Sequence, residues 1–153
     1  MQYTPLTPKE ILKRVPQQAP FRFIDEILSV DENGIVGQYR FKEDEFFYVG
    51  HFPGNPITPG VILLESMCQV GVVAFGIYLL SQEVDPSEIS QWVTLFAHAE
   101  VEFMKLVRPG TSVIITSKKV FWRRMKLNAK IEMRDQDGVL LASCIASGIG
   151  VRQ

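Results

Sequence analysis

The chain has 153 residues, 46% hydrophobic and 22% charged, which suits one globular domain spanning residues 1–153 around its own core. Its formal net charge of −1 argues against nucleic-acid binding, which draws on a basic excess. Two isolated cysteines, Cys68 and Cys144, exclude a disulfide framework and a zinc site, so no metal is expected and both read as reduced core thiols of a cytoplasmic protein. Met1 to Pro20 carries charges and prolines but no apolar h-region, so no secretory signal is expected.

In chain order, Thr7 to Arg14 predicts a short helix, with Thr7 as cap, Pro8 at the first position and Glu10 closing a capping box. Phe21 to Asp31 is an apolar-rich segment, and Asp31-Glu32-Asn33-Gly34 signals a hairpin that returns through Ile35 to Phe41. Glu43 to Pro59 holds Gly50, Pro53, Gly54, Pro56 and Pro59, too many breakers for a regular element. A long helix is expected from Pro59 to Ser81, then a polar loop from Ser81 to Gln91.

The rest reads as strands. In Trp92 to Met104, the alternation predicts Leu95, Ala97, Ala99, Val101 and Phe103 on one face, with His98, Glu100 and Glu102 on the solvent or interface side. Arg108-Pro109-Gly110 is a turn. Thr111 to Trp122, Lys126 to Arg134 and Val139 to Val151 are strands, the last two joined by a turn at Gln136-Asp137-Gly138.

Val61 to Leu80 is long and apolar enough to test for membrane insertion. Glu65 and Gln69 sit one turn apart on one face, and an acid at that depth is costly in lipid. A buried central helix is the simpler reading, with no membrane insertion. Such a helix must be covered by the strands around it. The expected fold class is therefore α+β: an antiparallel sheet wrapped around one long central helix, the hot-dog arrangement. Its open sheet edge invites pairing with a second copy, so a homodimer is expected.

The chemistry concentrates between Gly50 and Gln69. His51 lies in a loop stiffened by Pro and Gly. Pro59-Gly60-Val61 opens the helix, where the first N–H groups lack partners. Glu65 follows inside the apolar helix, and apolar surroundings favour a neutral carboxylic acid. A base, an acid and oriented N–H donors suit proton abstraction beside a carbonyl.

This stretch resembles the (3R)-hydroxyacyl-acyl-carrier-protein dehydratases of type II fatty acid synthesis. The pattern G-H-F-P-G-x-P-x-x-P-G-V-x-x-x-E-x-x-x-Q is met at every fixed position from Gly50 to Gln69. Ala19-Pro20-Phe21-Arg22-Phe23-Ile24-Asp25 and Val107-Arg108-Pro109-Gly110 extend the likeness more weakly. The resemblance implies that His51 removes the α-proton and the Gly60 N–H holds the enolate oxygen. It implies that Glu65 of a neighbouring chain protonates the departing hydroxyl, with Gln69 beside it. No cofactor is implied, since phosphopantetheine arrives with the substrate. Glutamate at position 65 points to the dehydration-only branch. Thr58, Cys68 and Thr111 depart from the usual pattern without removing a catalytic atom.

Phe46, Phe47 and Phe52 flank the motif and are candidates for an acyl tunnel. The implied partner is an acyl carrier protein, usually acidic. Lys105 to Arg134 is rich in Lys and Arg, with Glu132 as its only acid, and Arg108, Arg123, Arg124 and Lys126 are the docking candidates. A dimer and a trimer of dimers both fit. Two other functions share such a fold: an acyl thioesterase, and a non-catalytic acyl-carrier-binding subunit. The intact motif, with His51 and Glu65 both present, argues against each.

Overall fold

The computed structural model describes residues 2–153. The elements are α1 (Pro8–Arg14), β1 (Glu26–Val30), β2 (Gly34–Arg40), the central helix α2 (Gly60–Leu80), β3 (Trp92–Phe103), β4 (Ser112–Arg123), β5 (Lys126–Asp135) and β6 (Leu140–Arg152). All pairings are antiparallel, and the six strands run in the order β1-β2-β4-β5-β6-β3. The sheet curls around α2, which is the expected hot-dog arrangement.

The capping box at α1 is complete: Glu10 N–H reaches Thr7 Oγ1, and the Glu10 carboxylate accepts from Thr7 N–H. The core fills the space between α2 and the inner face of the sheet. Met67, Val70 and Phe75 from the helix meet Ile115, Leu127, Ile131 and Met133 from β4 and β5, all fully buried. Truncating one such side chain typically costs about 2–5 kcal/mol. Apolar burial explains why a helix of membrane-spanning composition ends inside a sheet. Cys68 and Cys144 are buried and unpaired by any disulfide. Their mutual contact, then burial, push the Cys68 thiol's pKa up.

α2 is not uniform. It is α-helical from Gly60 to Cys68, π-helical from Gln69 to Ala74, and α-helical again to Leu80. At the widened turn the Ser117 hydroxyl donates to the Gly71 carbonyl at 3.0 Å. The helix also lies close to the sheet there. A Cβ on Gly71 would meet Ile131 Cδ1 at 2.5 Å, so only glycine permits this approach.

Four expectations are revised. The strand expected within Phe21–Asp31 begins only at Glu26, because the backbone of Phe21 and Phe23 bonds to α2 side chains instead of a neighbouring strand. The loop Ser81–Gln91 contains a 3₁₀ turn, Pro86–Gln91, started by the Asp85 side chain on Ser87 N–H. The alternation in β3 is broken by a bulge between Phe96 and His98. Phe96 pairs with buried Gly148, and Ala99 with buried Ala146, whereas Leu95 pairs with exposed Ile149 on the outer face. Finally, the inner face of β3 is not covered by its own chain, since Phe96 and Phe103 are about half-exposed.

Candidate active site

The loop from Gly50 to Pro59 fixes His51 from several sides. The Phe52 and Asn55 backbones bond to one another in both directions, at 3.0 and 2.8 Å, closing a tight turn. Ile57 N–H donates to the His51 carbonyl at 3.0 Å, and His51 N–H donates to Phe47 at 3.2 Å. The rest of the loop is tied down through Thr58. Its N–H donates to Val107 at 2.8 Å, and its hydroxyl lies 2.6 Å from Tyr48 Oη. The imidazole stacks on Phe52, with ring centroids 4.0 Å apart.

His51 Nδ1 lies 2.8 Å from the Ile57 carbonyl oxygen. A carbonyl only accepts, so Nδ1 is the donor, and in the neutral ring Nε2 keeps its lone pair. The loop thus holds an imidazole in a defined tautomer and direction.

α2 starts next to this loop. Pro59 caps it without a side-chain bond, and its carbonyl takes the N–H groups of Ile62 and Leu63. Gly60 and Val61 come before the first intrahelical donor, so their N–H groups are those a helix start offers to a ligand. The Phe103 ring lies directly against Gly60: a Cβ there would meet Phe103 Cζ at 3.0 Å. Alternation puts Phe103 only on a strand face, and the fold brings its ring to the start of α2. Alternation signals which way a side chain points, not which distant backbone it meets.

Further along the same face, Gln69 is a fully buried hub. Its Nε2 donates to Glu65 Oε1 at 2.9 Å and to the Phe21 carbonyl at 2.8 Å, while its Oε1 accepts from Phe23 N–H at 2.7 Å. Ser66 Oγ donates to the Phe23 carbonyl at 2.8 Å. Gln69 therefore aims the Glu65 carboxylate and ties α2 to the Phe21–Phe23 segment.

Among the described residues, no hydrogen bond joins His51 to Glu65. Glu65 is partly buried, so its own chain provides only part of the apolar enclosure expected from the sequence. Exposed apolar side chains lie along this side, including Val61 (72%), Leu106 (66%) and Phe103 (48%). β3 beside them is an edge strand.

The other predicted residues separate. Phe47 is half-buried and packs edge-on against Phe23, while Phe46 and Phe52 are exposed. None of the three lines the large apolar cavity, of about 380 Å³, which lies past the middle of α2. Its walls come from Val72, Gly76 and Leu80 of α2, Val15 and Pro16 after α1, and Trp92, Trp122 and Met125. These lie far apart in sequence, so only the two tryptophans offered any signal. Arg123, Arg124 and Lys126 gather at the β4–β5 turn, where Arg124 and Met125 have φ of 52° and 61°. Arg108 stands apart from them, its Nη1 donating to Asn55 Oδ1 of the His51 loop at 3.3 Å. His98 lies exposed on the outer face, 3.5 Å from Glu100.

The FabA-like domain model matches residues 15–144. The chain is 38% identical over 112 residues to the 3-hydroxyacyl-[acyl-carrier-protein] dehydratase FabZ of Caldicellulosiruptor saccharolyticus, covering 72% of this chain and 74% of that one. It is 35% identical over 140 residues to the FabZ of Desulfotalea psychrophila, covering 86% and 89%. Among solved structures, the dehydratase heterocomplex ApeI:P of Xenorhabdus doucetiae superposes with a TM-score of 0.77 at 13% identity, covering 99% of this chain and 94% of that one. A Haemophilus influenzae thioesterase superposes with a TM-score of 0.71 at 14% identity, covering 99% and 96%. At such identities these structures share the fold alone, and the fold does not choose between dehydration and hydrolysis. The family match and the FabZ relatives do choose: this chain belongs to the FabA-like family, among its 3-hydroxyacyl-[acyl-carrier-protein] dehydratases.

Proposed function

We propose that the protein dehydrates (3R)-3-hydroxyacyl thioesters carried on acyl carrier protein, giving trans-2-enoyl thioesters for fatty acid biosynthesis, at a site shared between two copies of the chain. It is a hydro-lyase by family. The observation that carries the chemistry is the bond from His51 Nδ1–H to the Ile57 carbonyl, which leaves Nε2 free as the base.

In this reading Nε2 of His51 takes a proton from C2 of the substrate. The negative charge moves to the thioester oxygen, held by the Gly60 N–H at the positive end of α2. Glu65, protonated and aimed by Gln69, gives its proton to the C3 hydroxyl. The C3–O bond breaks, the C2–C3 double bond forms, and water leaves. The proton on His51 returns through solvent to reset Glu65. No step uses a metal or an organic cofactor.

The shared site is supported by three facts together. Glu65 makes no hydrogen bond to His51 in its own chain, exposed apolar side chains stand near the start of α2, and β3 is an open edge. A second copy paired along β3 would cover Phe96 and Phe103 and bring Glu65 of one chain to His51 of the other. The cavity beyond Glu65 is suited to the acyl tail, being apolar and on the same helix face. Arg123, Arg124 and Lys126 are suited to an acidic carrier, and assembly as a dimer or a trimer of dimers, in the cytoplasm, belongs to the same reading.

The test is direct. Purified protein is incubated with a 3-hydroxyacyl carrier-protein thioester and, separately, its enoyl counterpart, and mass spectrometry follows one water. Interconversion is the expected result. Free acid plus thiol would make the protein a thioesterase, and tight acyl-carrier binding without turnover would make it a non-catalytic subunit.

A further inference from the structure

Resting on the dehydratase reading, we propose that Trp122 is the end wall of the acyl cavity and sets the longest chain the enzyme accepts. The cavity runs along α2 on the face that carries Glu65. Gly76 to Leu80 lie roughly 16–22 Å beyond Glu65, at ~1.5 Å of rise per residue. An acyl tail whose β-carbon sits at Glu65 and which follows this face meets Trp122 at the far end.

Beyond Trp122 lies a second depression of about 350 Å³, lined by Gln2, Glu32, Leu79, Gln82, Glu83 and Lys119. Among the described residues, Trp122 is the only one that borders both spaces. Trp122 thus stands where an apolar cavity and a more polar, more open one meet. The indole is therefore a partition, and removing it joins the two spaces into a longer channel.

The partition is held in place. Trp122 Nε1 donates to Glu83 Oε1 at 2.5 Å, which fixes the ring against the segment that follows α2. Its neighbour across the hairpin is buried Leu127. The turn beyond is tied to β6, since Gly150 N–H donates to the Met125 carbonyl at 2.7 Å. A tail that overruns the cavity must break these bonds or leave polar groups unpaired, so discrimination against longer chains is steep.

The same residue offers a probe. The chain has two tryptophans, and both Trp92 and Trp122 line the cavity. Full-length protein is assayed for hydration of enoyl carrier-protein thioesters from butenoyl to hexadecenoyl length. Trp122→Ala and Glu83→Ala are compared with wild type after thermal melting confirms that they fold. Expected is a sharp upper limit in wild type. The ratio of long-chain to short-chain turnover should rise roughly tenfold or more in Trp122→Ala, the scale of discrimination a pocket gives for about one methylene, and less in Glu83→Ala. An unchanged ratio, or a wild type with no upper limit, overturns the proposal. If Trp122→Ala does not fold, wild-type fluorescence decides. An acyl chain brominated at its last carbon, just short of the limit, should quench tryptophan emission more than one brominated near the thioester, and equal quenching overturns the end wall. Loss of turnover for every chain length in wild type is a different failure, that of the dehydratase reading itself.

Discussion

At its first turns α2 presents Gly60, Glu65 and Gln69, each with a polar task, and the loop before it adds His51. At its last turns it presents Val72, Gly76 and Leu80 to an apolar cavity closed by side chains from α1, β3 and the β4–β5 hairpin. The two ends are built differently. The first end is a run of neighbouring residues held by short-range bonds, with the Phe21–Phe23 segment and Val107 as outside supports. The second has almost no local contribution and exists only because the sheet wraps. Chemistry at the first end should therefore fail through single polar groups, and specificity at the second through volume.

The largest expected effect is at the first end. His51→Ala and Glu65→Gln should each lower dehydration on the order of a thousandfold, since each would remove a proton-transfer group of the proposed mechanism. Steady-state rates on one carrier-bound substrate, with melting temperature as the control, measure this. Gln69→Leu is next. It leaves Phe23 N–H, the Phe21 carbonyl and the Glu65 carboxylate without their partner. A loss of roughly 10–100-fold in kcat is expected, with a lower melting temperature as well.

Between the two ends sits the π turn, and it tests packing alone. Gly71→Ala would push a methyl group into Ile131 and Ser117. The expected cost is about 1–3 kcal/mol in denaturant unfolding, with less effect on rate than Gln69→Leu. The smallest effect lies outside the comparison, at α1. Backbone and hydroxyl bonds from Thr7 hold the Glu10 carboxyl below its ordinary pKa. A carboxyl lowered by folding adds stability above its unfolded pKa and loses it as pH falls through the folded one. Wild type should therefore melt slightly higher than Glu10→Gln at neutral pH. That difference should vanish as pH falls below the carboxylate range.

The same contrast explains what could be read in advance. The motif from Gly50 to Gln69 is contiguous, so its residue types and spacing already implied a base, an oxyanion donor and an acid. Strand and helix positions followed from alternation and from the long apolar run. The bulge at Phe96 has no signal in the sequence, since no glycine or proline stands there, and one extra residue reverses every side chain before it. The cavity leaves no signal in the sequence because its walls meet only through sheet closure. Phe46, Phe47 and Phe52 are close to His51 in sequence, yet Phe47 packs on Phe23 and the other two are exposed. The π turn also left no pattern, since its residues are as apolar as their neighbours.

In the proposed site, His51 of one chain works with Glu65 of another. The most direct test is to co-express His51→Ala and Glu65→Gln chains with different tags, isolate the mixed dimer, and measure dehydration. A shared site predicts recovered activity, because one of the two sites then contains an intact His51 and an intact Glu65. A mixed dimer as inactive as either parent would place both groups within one chain and contradict the shared site.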